Sequence, residues 1–154
     1  MDLIDQLIKF YYEAEWWHET RLSEPEIKEY YRVLIGKGRL VTVMDENNLL
    51  GYCESWRINY DKFGKLLCHV PINIAEEDIS TGNIAYVFSV YVDKPYRNTK
   101  VITSLKHRFF ALNYDCDYFV GEALRKKHQP VKVFKRQDFY DRYIKESIKE
   151  RQAA

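Results

Sequence analysis

The sequence predicts an α+β fold: a mixed, mostly antiparallel sheet held between layers of helix, in a three-layer arrangement. Two amphipathic helical stretches open the chain, and a hairpin of strands follows them. The stretch Ile84–Leu112 then runs from a strand straight into a helix that leads to another strand. Hairpin strands pair antiparallel and strands joined through a helix pair parallel, so the sheet has to be mixed.

The first helix is read over residues 2–20, where Leu3, Leu7, Phe10/Tyr11, Ala14 and Trp17 form an apolar stripe. Trp16 and Trp17 point about 100° apart, so only one sits at the centre of that stripe. The other packs under the next helix or lines a groove. Ser23, Pro25 and Glu26 mark a second helix start: a capping box with proline in the first turn. Ile27, Tyr30/Tyr31 and Leu34 continue it, and Gly36 and Gly38 stop it.

Leu40–Met44 reads as a strand, Asp45–Asn48 as turn chemistry, and Leu49–Ile58 as the returning strand. Alternation puts Tyr52, Glu54 and Trp56 on one face of the second strand and Cys53, Ser55 and Arg57 on the other. Residues 60–83 are long for a connector and are expected to hold a short helix or a strand near Leu66–Val70. Tyr86–Val92 is β-branched or aromatic apart from Ser89, and Pro95 lies just beyond its end. Asn98 and Thr99 are N-cap candidates for the helix carrying Val101, Ile102, Leu105, Phe109 and Leu112. A strand that turns directly into a helix gathers unpaired N–H groups and a positive dipole end, which makes an anion site. Asp117–Leu124 reads as the next strand and Gln129–Arg136 as a short helix. Phe139 onwards is either a last strand or a terminal helix.

The 154 residues fit one domain, divided as N-terminal helices (1–37), hairpin (38–59), insertion (60–83), core (84–139) and tail (140–154). A net charge of +1 gives no global field toward nucleic acid or an anionic membrane. The charge is uneven, however: Lys94–Arg108 and Arg125–Arg136 are locally basic, as solvated faces commonly are and as the rim of a polyphosphate or nucleic-acid site would be. Cys53, Cys68 and Cys116 lack the number and spacing of a disulfide framework or a zinc site. No metal ligand set stands out. There is no signal-peptide pattern and no apolar run of membrane-spanning length, so a cytoplasmic location is expected. Lys, Ile and Tyr are common and Ala and Gly scarce, as in AT-rich genomes of some bacteria and their viruses.

The order of elements resembles the GCN5-related N-acetyltransferase (GNAT) family over about Gly38–Phe139. The residues that carry it are Gly38-Arg39-Leu40-Val41 with Leu50-Gly51-Tyr52, then Val92, Pro95 and Tyr96-Arg97 spaced to Leu105, then Phe134 to Phe139. The resemblance implies an acyl-CoA N-acyltransferase fold and acetyl transfer from acetyl-CoA to an amine of a small molecule or a protein. It also implies CoA binding by Tyr91, Val92, Arg97, Asn98, Thr99, Lys100, Val101, Ile102 and Thr103. The family's two loop glycines are Lys100 and Ile102 here, and its frequent general-acid tyrosine falls on Phe134.

Direct transfer needs a proton acceptor and an acid for the leaving thiolate. Glu54 and Glu122 are the candidate bases, each of which could equally be a surface carboxylate paired with Lys or Arg. Tyr140 and Tyr143 are the candidate acids. Two other expectations stand beside this one. A non-catalytic GNAT-like module, such as a bacteriophage accessory or virion protein, would bind a protein partner. A nucleic-acid-modifying relative would use the basic segments.

Overall fold

The computed structural model describes residues 1–14, 22–68, 78–121 and 132–145. Helix α1 spans Leu3–Glu13 and starts at Asp2, whose carboxylate accepts from the Asp5 amide at 2.9 Å. Helix α2 spans Glu24–Gly36 and starts with the expected capping box: Ser23 and Glu26 each accept from the other's backbone N–H. Strands β1 (Leu40–Asp45) and β2 (Asn48–Ile58) form the hairpin, and α3 (Tyr60–Leu67) follows, so the short element of the 60–83 segment is a helix. Strand β3 (Ile84–Val92) leads through a 3₁₀ turn at Lys94–Tyr96 into α4 (Val101–Leu112). Strands β4 (Tyr118–Gly121) and β5 (Lys132–Lys135) come next, then α5 (Arg136–Phe139), which passes into a π-helical turn at Tyr140–Lys145.

The sheet order is β1-β2-β3-β4-β5, with β3 and β4 parallel and the other pairs antiparallel. The mixed, mostly antiparallel sheet is therefore as expected. One face packs on α1 and α2 through Leu7, Tyr11, Ile27, Tyr31, Leu34, Tyr52, Trp56 and Tyr86. The other packs on α4 and α5 through Cys53, Ala85, Val92, Val101, Leu105, Phe109 and Phe119, with Phe134 and Phe139 at its margin. Gly51 sets the approach of α4: a Cβ there would meet Val101 Cγ1 at 2.9 Å and the Tyr91 carbonyl at 3.0 Å.

The chain departs from expectation at three described places. The first helix, expected over residues 2–20, ends at Glu13, where Ala14 is extended at φ −73° and ψ 116°. Gln129–Arg136 was expected to be a short helix, but Lys132–Lys135 is a strand paired with Tyr118–Gly121. Lys-Val-Phe-Lys alternates with period two, and pairing with β4 decides what four residues cannot decide alone. Asn98 and Thr99 do not cap α4 directly. Lys100 holds the cap position without a side-chain bond, Asn98 lies in the left-handed region at φ 66°, and the Thr99 hydroxyl accepts from the Val101 amide at 3.4 Å. The start of the chain's tail is helical rather than a strand.

A bulge interrupts the β2–β3 ladder. Glu54 pairs with Ser89 and Ser55 with Val87, which leaves Phe88 as the extra residue. Bulges bend a strand and re-aim its side chains. Here Phe88 stacks on Trp56 at 4.5 Å, and Ser89 stands opposite Glu54 on the same face.

Candidate functional site

The pairing of β3 with β4 runs from Ile84/Tyr118 to Val87/Gly121. Among the described residues, Phe88–Val92 has no strand on that side. Alongside this edge lies a cavity of about 350 Å³ between the sheet, α4 and α5. Its walls are apolar: Val87 and Val90 of β3, Ile102, Leu105 and Phe109 of α4, and Phe134 of β5 are among them. Lys106, Lys132 and Tyr143 supply its polar groups. Lys106 Nζ also stands 5.1 Å from the centre of the Tyr143 ring.

The loop that closes one end of this region is tightly folded. Asp93 accepts from the Lys94 amide at 3.0 Å, and the Tyr96, Arg97 and Thr99 amides bond back to Asp93, Lys94 and Tyr96 carbonyls. Thr99 Oγ1 takes the Val101 amide. The amides of Asn98, Lys100, Ile102 and Thr103 have no partner among the described residues, so four donors remain open at the start of a helix of 12 residues. The positions where the family carries glycine need none for their backbone. Lys100 has φ −72° and is exposed, and Ile102 turns its side chain into the cavity wall. Arg97 folds back: its Nε donates to the Val92 carbonyl at 3.0 Å and its guanidinium stands 5.5 Å from the Tyr91 ring centre.

Of the remaining sequence candidates, Tyr143 lines the cavity, while Tyr140 packs on Phe110 with ring centres 5.6 Å apart and is not among its lining residues. Phe134, in the place of the family's tyrosine, is also a cavity wall. Glu122 lies outside the described residues, as do Trp16 and Trp17. Cys53 is on the cavity side, but burial pushes its thiol well above the ordinary range, which keeps it protonated.

Glu54 sits on the opposite face of the sheet from Cys53, only 2% exposed, beneath α2. Tyr30 of α2 hydrogen-bonds its carboxyl and in turn accepts from Trp56 Nε1 at 3.2 Å. Burial raises the Glu54 pKa from 4.5 to about 7, although the Tyr30 and Ser89 hydroxyls pull it down. No cation is among the groups that act on it. Ser89 is 2% exposed, and its hydroxyl makes no hydrogen bond of ordinary geometry. A buried carboxyl poised near neutrality, facing a buried hydroxyl short of a partner, is uncommon in a structural core. Sequence reasoning did not single out Ser89 for a role, yet there was a signal: it is the one polar residue in an apolar strand.

The sheet order, the crossover through α4 and the two helical layers define a GNAT-like fold. No family model matches the chain, and no curated protein matches it either. Among solved structures, it is similar to the GphF GNAT-like decarboxylase in complex with isobutyryl-CoA, with a TM-score of 0.55 and 17% identity. That match covers 77% of this chain and 60% of the other, so the chain spans less than two thirds of that protein's length. Among the described residues no cluster of His, Cys, Asp and Glu is arranged for a metal ion, and no helix is long and apolar enough to cross a membrane.

Proposed function

We propose that the chain is an acyl-CoA-dependent N-acyltransferase that uses acetyl-CoA to acylate an amine. The observation that carries this is the edge of β3 beyond Val87, unpaired on that side among the described residues and set between an apolar cavity and the open amides at the start of α4. The group fits these residues. Amides of Asn98, Lys100, Ile102 and Thr103 would take the diphosphate, with Lys100 adding a cation beside it. Val90, Ile102, Leu105 and Phe109 would hold the apolar arm, and the backbone of Tyr91 and Val92 would orient it. When bound, acyl-CoA supplies a thioester whose carbonyl carbon is attacked by the amine. Glu54 accepts the proton that the amine loses, as a base poised at about 7. Tyr143, on the cavity wall, supplies a proton toward the departing sulfur. The complexed decarboxylase supports acyl-CoA binding in general, and the choice of acetyl rests on the sequence resemblance.

Calorimetry with acetyl-CoA, isobutyryl-CoA and CoA tests binding, and thiol release with an amine panel tests turnover. Absence of binding at millimolar ligand refutes the proposal. Phe134 on the cavity wall, where a tyrosine would give a proton, favours a second reading as a non-catalytic GNAT-like module with a protein partner. Turnover with any amine of the panel decides against that reading.

A further inference from the structure

Two cations on the wall of the apolar cavity are left over by the binding of an acyl-CoA. Lys106 of α4 and Lys132 of β5 come from separate elements and line the same cavity. The proposed diphosphate cradle lies elsewhere: Lys106 is about 9 Å along the helix axis from Lys100, at ~1.5 Å per residue. The arm that links the diphosphate to the thioester carries no charge, so it sets nothing against an ammonium group. Among the described residues no carboxylate lines the cavity, and neither lysine has an ion-pair partner. Lys106 is half-buried, and its ammonium stands 5.1 Å from the centre of the Tyr143 ring. A ring face offsets part of the cost of taking that charge out of water, but it gives the N–H donors no lone pair. Most of the remaining wall is apolar, with Phe109, Phe134 and Phe139 among its largest side chains.

From this combination we infer that the cavity binds a medium-chain fatty acid, with its carboxylate paired to Lys106, Lys132 adding to the positive field, and its chain against the phenylalanines. The size agrees. At ~30 Å³ for a water-sized group, about 350 Å³ holds roughly a dozen non-hydrogen atoms, as in a ten-carbon acid. Withdrawal of the chain from water supplies the affinity, and the lysines select the sign of the head group. Burial keeps the Cys53 thiol protonated, so that wall residue places no anion against the carboxylate. Ile102, Leu105 and Phe109 would also hold the arm of an acyl-CoA, so the two ligands exclude each other. This second half of the inference rests on the acyl-transfer reading and gives that site a regulator: a free fatty acid occupies the donor's place and lowers turnover.

Calorimetry with decanoate and with decyltrimethylammonium, each below its micelle concentration, tests the site. Decanoate should bind saturably and roughly tenfold or more tightly than the cation of equal chain length. Lys106→Met keeps an apolar stem on the wall and removes the charge; it should weaken decanoate roughly tenfold, and Lys106→Arg should restore the affinity. Ile102→Trp fills the cavity and should abolish decanoate binding. Absence of decanoate binding overturns the inference, and so does equal affinity for the two head groups. Undiminished decanoate affinity in Ile102→Trp, or in Lys106→Met with a native circular dichroism spectrum, overturns the placement of the ligand. Titration of acetyl-CoA into protein saturated with decanoate tests the exclusion: a raised apparent Kd supports it, and an unchanged Kd overturns it. A protein that binds decanoate and no acetyl-CoA loses the acyl-transfer reading and keeps the fatty-acid site.

Discussion

Replacing Glu54 by Gln isolates the free energy stored in one buried proton. In the folded chain the carboxyl has its pKa raised from 4.5 to about 7, with burial as the leading cause. At about 1.4 kcal/mol per pH unit, that displacement ties about 3 kcal/mol of stability to protonation. The sign follows from proton counts. Between about 4.5 and 7 the folded state holds the proton and the unfolded state has released it. Stability contributed by Glu54 is therefore present below the unfolded value and lost as pH rises toward the folded one. Gln keeps an oxygen for the Tyr30 hydroxyl and carries no charge, so the variant lacks this loss. Urea unfolding at pH 5 and pH 8 should show the two proteins close at the lower pH and Glu54→Gln more stable by about 3 kcal/mol at the higher. With an m-value of ~1–3 kcal/mol/M, that is a midpoint shift of ~1 M or more. Equal pH dependence in the two proteins would refute the assignment of a raised pKa to Glu54. If the proposed chemistry holds, the same substitution also abolishes the acid limb of the pH–rate profile.

Gly51→Ala should cost about 1–3 kcal/mol in chemical unfolding, because the added methyl meets a backbone carbonyl of Tyr91 as well as Val101. Arg39→Ala should destabilise by about 3 kcal/mol: the buried guanidinium donates to the Ser55 carbonyl and hydroxyl at 3.1 and 2.9 Å and to Asn113 Oδ1, and those acceptors would lose their donor. Ile102→Trp fills the cavity from α4 and should weaken acetyl-CoA binding by roughly tenfold or more in calorimetry, about 1.4 kcal/mol, with an unchanged circular dichroism spectrum. Lys100→Gly should bring no gain in that affinity, since φ at this position is already −72° and the side chain points to solvent.

The parts of the fold that were legible in the sequence are those written in local chemistry. Ser23 and Glu26 announce α2 by a reciprocal cap, and the alternation of Leu49–Ile58 sorts Tyr52 and Trp56 from Cys53 onto the faces where they are found. Residues 132–135 are a strand that four residues carry too little periodicity to announce, and the pairing with β4 that decides it is not written within them. The start of α4 was misplaced for a subtler reason: Thr99 caps from outside the helix, and Asn98 spends its tolerance for positive φ on the turn. Alternation placed Glu54 on the right face, but its neutral surroundings come from α2 and β3, which no spacing within β2 reveals. The cavity is equally a product of tertiary packing, since its walls come from separate strands and helices.

The extra residue in β3 has a consequence for how this strand can vary. Ile84–Val87 and Ser89–Val92 are set half a pleat out of phase by Phe88. The first group pairs with the parallel neighbour β4, and the second has no strand on that side among the described residues. A point substitution at Phe88 alters a stacking contact with Trp56 and leaves this phase intact. Deletion of Phe88 would leave Ser55 opposite Val87 and Glu54 opposite Ser89 in an unbroken ladder, with Ser89–Val92 on the faces they already occupy. The bulge is accordingly a place where β3 can lose a residue and keep the facing of its side chains.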